Sequence, residues 1–151
     1  MIHQISADRI IPSLGAGTKQ EVLLELATLC QRSLPEIEID KLFSVLWERE
    51  MLGSTGVGDG VALPHGRIGG IDRIEICFGR SGKGIAFDSV DNKSAHLFFL
   101  LLAPAQSASP YLRCLAQLSR FLKNSHIRSR LTLAEDVDEI MKIFAEAKEL
   151  I

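Results

Sequence analysis

The sequence predicts one α/β domain over residues 1–151, a mixed β-sheet flanked by helices on both faces. Three observations carry that expectation. Apolar residues recur at helical spacing near both ends of the chain, while strand-like segments cluster in its middle. A capping-box pattern, Thr18-Lys-Gln-Glu21, opens the first helical stretch. Ala95–Ala103 reads as the strongest strand, and its continuous apolar run, Leu97–Ala103, is what a central strand covered on both faces requires.

Gln4–Leu14 is mixed in pattern, with Ile10 and Ile11 as anchors before a Pro-Ser-Leu-Gly-Ala-Gly turn. From Thr18 a helix is predicted to about Arg32, burying Val22, Leu23, Leu26, Ala27, Leu29 and Cys30. Pro35 closes that region. Asp40 reads as the next N-cap, followed by Leu42, Phe43, Val45 and Leu46 on a helix ending near Glu50. Pro64 biases Leu63 toward extended geometry, so Val61–Leu63 reads as a short buried strand that delivers His65 to its end. Gly69 and Gly70 make a turn, and Ile74–Phe78 a strand. GRSGKG at 79–84 is a turn by composition, before a short strand at Ile85–Phe87. After Ala95–Ala103, Ser109 and Pro110 supply an N-cap and a proline in the first helical position. Tyr111, Leu112, Cys114, Leu115, Leu118, Phe121 and Leu122 then form an amphipathic helix. A shorter helix is expected at His126–Leu131. Asp136 caps a last one, with Val137, Ile140, Met141, Phe144 and Ile151 facing inward.

Composition narrows the function classes. Apolar residues at 46% and charged residues at 24% describe an ordinary globular chain. A net charge of −2 and the lack of a basic run argue against nucleic acid as the main partner. Cys30, Cys77 and Cys114 are scattered within apolar patterns and read as buried free thiols in a reducing compartment. No apolar run is long enough to span a bilayer, and the first residues do not form a signal core, so a cytoplasmic protein is expected. No cofactor or metal is expected, since no His-x-x-x-His pair or cysteine cluster appears.

The chemistry points to Gly53–Arg67, GSTGVGDGVALPHGR. Glycines let bare backbone N–H groups approach a ligand, and Ser54 and Thr55 add hydroxyls to that cradle. Nucleotide readings fail: Asp59 stands where a P-loop lysine belongs, and Val61 replaces the last glycine of a dinucleotide fingerprint. A lone histidine after proline is most often a turn residue. The glycine-rich approach, the strand end and nearby Arg49 shift that balance toward chemistry. A neutral imidazole accepts a phosphoryl group in line, and such a transfer needs positioning and charge neutralisation. Arg49 and the loop amides are the expected source of that neutralisation. His3, His96 and His126 read as structural, as do Trp47 and the Phe98–Phe99 pair.

REMLGSTGVGDGVALPHGR, IAFDSVDN and LLLAPAQ ahead of an amphipathic helix resemble the type 2 enzyme IIA family of the bacterial phosphotransferase system, and its nitrogen-regulatory branch, IIA-Ntr, in particular. The resemblance covers nearly the whole chain. It implies the mixed-sheet fold and a phosphorylated His65, charged by a phosphohistidine on a small HPr-like carrier, called NPr in that branch. It also implies Arg49 beside the active histidine, Ser54, Thr55 and Gly56 as the bordering phosphate loop, and regulatory target proteins downstream. One position departs: Tyr111 occupies the place of the family's second histidine, and tyrosine donates a hydrogen bond without supplying charge. The alternatives are a mannitol- or fructose-type IIA that passes phosphate to a IIB protein, and a binding regulator that is never phosphorylated.

Overall fold

The computed structural model describes residues 2–147, so the expectation for Ile151 lies outside the described residues. Six strands form one mixed sheet: β1 (Ile10–Ile11), β2 (Gly56–Gly58), β3 (Val61–Ala62), β4 (His65–Ile68), β5 (Glu75–Ile85) and β6 (Ala95–Pro104). Five helices cover it: α1 (Lys19–Gln31), α2 (Ile39–Met51), α3 (Ser109–Leu122), α4 (Ser125–Leu133) and α5 (Val137–Ala145). The strand order is β1-β5-β6-β3-β2, and β4 also pairs with β6. β6 is therefore central, as its apolar run predicts. It is antiparallel to β5 and parallel to β3 and β4.

Alternation along β6 builds two apolar layers. Leu97, Phe99 and Leu101 face α3, α4 and α5, joining Phe78, Cys114, Leu118, Phe121 and Phe144. Phe98, Leu100 and Leu102 face α1 and α2, joining Leu23, Leu26, Leu42, Leu46, Cys77 and Phe87. From Leu97 to Ala103 every side chain of the run is buried against one layer or the other, so it needs no polar residue. Cys30 and Cys77 meet in the second layer with their sulfurs 3.1 Å apart, and all three cysteines are buried free thiols.

The capping box forms. Thr18 Oγ1 accepts from Glu21 N–H, and Glu21 reaches back to accept from Gly17 N–H. Asp136 caps α5 by accepting from Glu139 N–H. Other boundaries shift. Asp40 lies in the first turn of α2 with Glu38 at the cap, and Ser109 lies inside α3 with Ala108 at the cap. The shorter helix starts one residue earlier than expected and runs to Leu133, because Asn124 accepts from the amides of His126 and Ile127.

The middle of the chain differs most. GRSGKG is not a turn: β5 runs through it to Ile85, with a break in register against β6 between Arg80 and Ile85. The excess residues bulge out, pinned by Gly84 N–H on Ser81 Oγ and by His96 Nδ1 on the Ser81 carbonyl. Ile85 therefore ends a strand instead of opening one. The strand at 61 stops at Ala62, and His65 opens the separate β4. Among the described residues no helix is long and apolar enough to cross a membrane.

Candidate active site

Three elements converge on His65. β4 places it opposite Leu101 of β6 in parallel register. The last turns of α2 bring Val45, Glu48, Arg49 and Leu52 to one side, and the first turns of α3 bring Tyr111, Leu112 and Leu115 to the other. Between them lies an open cleft of about 780 Å³, with Gly66, Arg67 and Ala105 completing its lining. The close approach of α2 depends on Gly66, where a Cβ would come within 2.6 Å of Val45 Cγ1.

The His65 ring is half-buried. Its Nδ1 lies 2.6 Å from the Leu63 carbonyl oxygen. A carbonyl only accepts, so Nδ1 carries the proton and the neutral ring keeps its lone pair on Nε2. Burial holds the imidazole below its ordinary pKa, the Leu63 bond opposes that, Arg49 adds to the lowering and Glu50 again opposes it. The result is a neutral, nucleophilic ring near pH 7.

The structure brings His65, Arg49 and Tyr111 together, as expected. Arg49 donates to the Gly53 carbonyl at 2.9 Å, which holds its guanidinium at the cleft. The Tyr111 and His65 rings lie 5.8 Å apart. Burial pushes the Tyr111 hydroxyl above its ordinary pKa, so it stays a donor at pH 7. The first turn of α3 has no side-chain cap, and the partial positive charge of that helix end points into the same region.

Ser54, Thr55 and Gly56 do not form the phosphate cradle expected of them. Ser54 Oγ donates to the Phe87 carbonyl and accepts from Gly56 N–H. Thr55 gives both its amide and its hydroxyl to the buried Glu50 carboxylate, which also binds Lys19 Nζ at 2.8 Å. Gly56 is required by packing, since a Cβ there would sit 2.3 Å from Ser89 Oγ. Hydroxyls and amides already bonded inside the protein are lost to an anion. The segment instead clamps the end of α2, and with it Arg49.

Sequence reasoning missed Arg67. It sits two residues after His65 on β4, and its guanidinium carbon lies 5.8 Å from the centre of the Tyr111 ring. The signal was present as strand alternation, which puts residues i and i+2 on one face. It is usable only once His65 is known to begin a strand.

Residues 3–147 match the sequence family described as phosphoenolpyruvate-dependent sugar phosphotransferase system, EIIA 2. A nitrogen regulatory protein of Bradyrhizobium diazoefficiens is 35% identical over 93% of this chain and 92% of its own. A fructose-specific EIIA component of Haloferax volcanii is 36% identical over 85% of this chain and 82% of its own. The crystal structure of IIA-Ntr from Neisseria meningitidis superposes with a TM-score of 0.89 at 31% identity, covering 95% of this chain and 98% of that one. On the strength of the match along nearly its whole length, this chain belongs to the EIIA 2 family of the phosphotransferase system.

Proposed function

We propose that this chain is a nitrogen-regulatory IIA phosphocarrier that takes a phosphoryl group on Nε2 of His65 from a phosphohistidine on a small HPr- or NPr-like carrier. The observation that carries the reading is the half-buried His65 ring, its Nδ1–H tied to the Leu63 carbonyl, in a cleft with Arg49 and Arg67. In the transfer, the Nε2 lone pair attacks phosphorus as the bond from phosphorus to the carrier's ring nitrogen breaks. That nitrogen leaves with the bonding pair, and the His65 ring keeps its Nδ1 proton and becomes cationic. Arg49 and Arg67 offset the charge on the phosphoryl oxygens, and the Tyr111 hydroxyl donates to one of them. Ser54, Thr55 and Gly56 act at one remove, by holding the end of α2. The added charge then alters the surface that regulatory targets meet in the cytoplasm.

The test is labelling by the phosphorylated carrier. Wild-type protein takes up an acid-labile, base-stable phosphoryl group, and His65→Ala takes up none. An unlabelled wild type, beside a labelled IIA-Ntr from Neisseria meningitidis, would point to a regulator that binds without phosphate. Onward transfer to a IIB cysteine, and from there to sugar, would point to the sugar-specific role.

A further inference from the structure

Leu42, Leu46 and Glu50 are the buried residues of α2, spaced four apart on one face. A carboxylate therefore stands where the apolar stripe calls for a third hydrophobic side chain. It also lies in the last turn of the helix, where the dipole disfavours an anion. The Glu50 side chain is 1% exposed, and Lys19 Nζ reaches it from the first residue of α1, where the dipole disfavours a cation. Lys19 is held in turn by Asp88 at 2.9 Å and lies over the Phe87 ring at 4.8 Å. Apolar side chains of similar volume commonly serve stability as well as a buried ion pair does. Charges kept against three local preferences point to a task other than holding the fold.

What the carboxylate holds leads to the reacting ring. Glu50 accepts from Thr55 N–H at 3.0 Å and from the Thr55 hydroxyl. The Thr55 carbonyl accepts from Leu63 N–H at 2.9 Å, where β2 and β3 run antiparallel. The Leu63 carbonyl accepts from Nδ1–H of His65. The peptide between Leu63 and Pro64 has no N–H of its own. Bonds on either side aim its carbonyl: Leu63 N–H on Thr55, and Leu101 N–H on the Pro64 oxygen. Glu50 is thus two residues removed from the oxygen that fixes the His65 tautomer. It also shares the last turn of α2 with Arg49.

We propose that Glu50 is a positioning residue for the transfer: through Thr55 and Leu63 it keeps the His65 proton on Nδ1, and through the end of α2 it keeps Arg49 at the cleft. The proposal rests on the reading of His65 as phosphoacceptor and adds what aligns it. Lys19 compensates the burial of the carboxylate. Neither side chain touches the phosphoryl group.

Two variants separate alignment from stability. Lys19→Met/Glu50→Leu exchanges the pair for apolar side chains and takes the acceptor away from Thr55. Glu50→Gln keeps an amide oxygen in its place. Urea denaturation establishes that each is folded under the assay conditions. Nitrogen-15 NMR at about pH 8, where the ring is neutral, tells the protonated ring nitrogen from the bare one. In wild type His65 carries its proton on Nδ1, and in the double variant Nε2 shares it. The kcat for labelling by the phosphorylated carrier then falls about tenfold or more, as misalignment at the reacting atom does. The KM for the carrier holds, because the buried pair presents nothing to it. Phosphoramidate, a small donor that needs no docking, slows by the same factor. Glu50→Gln stays closer to wild type in tautomer and in rate. A folded double variant with its proton still on Nδ1 alone, or with the wild-type kcat, overturns the proposal. So does a Glu50→Gln protein as impaired as the double variant, since charge and not the Thr55 bond would then be at work. Should the double variant not fold, Thr55→Val decides: losing one bond to Glu50, it shifts tautomer and kcat the same way by less, and unchanged values overturn the proposal. If neither donor labels wild type, the phosphoacceptor reading fails, and the nitrogen-15 spectra still decide what holds the ring.

Discussion

An imidazole that attacks phosphorus has to be neutral, and the surroundings of His65 keep it so. Burial and Arg49 hold its pKa below the ordinary 6.5, against the Leu63 bond and Glu50. A proton NMR titration is expected to place the His65 inflection below 6.5, and Arg49→Gln to move it upward while slowing labelling by the carrier. An inflection at or above 6.5 in wild type would remove this account of its nucleophilicity. The same shift has a stability consequence of defined sign. As pH falls through about 6.5 the unfolded imidazole binds its proton first, so the fold loses stability until the pH drops below the lowered value, and above 6.5 there is no effect. His65 and Arg49 stood out in the sequence by residue type and position and Tyr111 by the family resemblance, and the fold adds that the three line one cleft. Ser54 and Thr55 misled, because a hydroxyl in a glycine loop looks the same whether it serves a ligand or a neighbouring carboxylate.

The distance between α2 and β4 sets the width of the cleft, and Gly66 sets that distance. Gly66→Ala is expected to cost about 1–3 kcal/mol, because the new methyl meets the stiff, β-branched Val45. Val45→Ala/Gly66→Ala recovers part of the loss. Urea denaturation reads both, and a Gly66→Ala protein as stable as wild type would show that α2 yields freely. The helices were legible as elements because they announce themselves by period and by caps such as Thr18 and Asp136. Their first residues were less so, since Glu38 and Ala108 cap α2 and α3 without any side-chain bond. GRSGKG was misread for a physical reason: three glycines among charged residues have the composition of a turn, yet pairing with β6 absorbs them as a bulge. The strand break at Leu63-Pro64 is local instead: β3 and β4 follow β6 in one parallel register, and Pro64 between them has no N–H to give the ladder.

Across the whole molecule, the two ends of the chain are tied to the sheet through Arg80 on β5. Its guanidinium donates to the carbonyls of Pro12, Leu131 and Ala134, so one side chain joins the N-terminal segment, the end of α4 and the strand that pairs with β6. Arg80→Ala is expected to lower unfolding free energy by about 2–4 kcal/mol, since it strips several charge-assisted bonds at once. The lowered urea midpoint should come with unchanged His65 labelling below the transition, because Arg80 lies opposite Leu97 and His65 opposite Leu101. A midpoint equal to that of wild type would reduce the carbonyl cluster to a surface decoration. The oxygen that receives the Nδ1 proton belongs to the main chain in the gap between β3 and β4. Substituting the side chain at position 63 leaves that oxygen in place, so the Nδ1–H tautomer of His65 is insulated from mutational drift at that position.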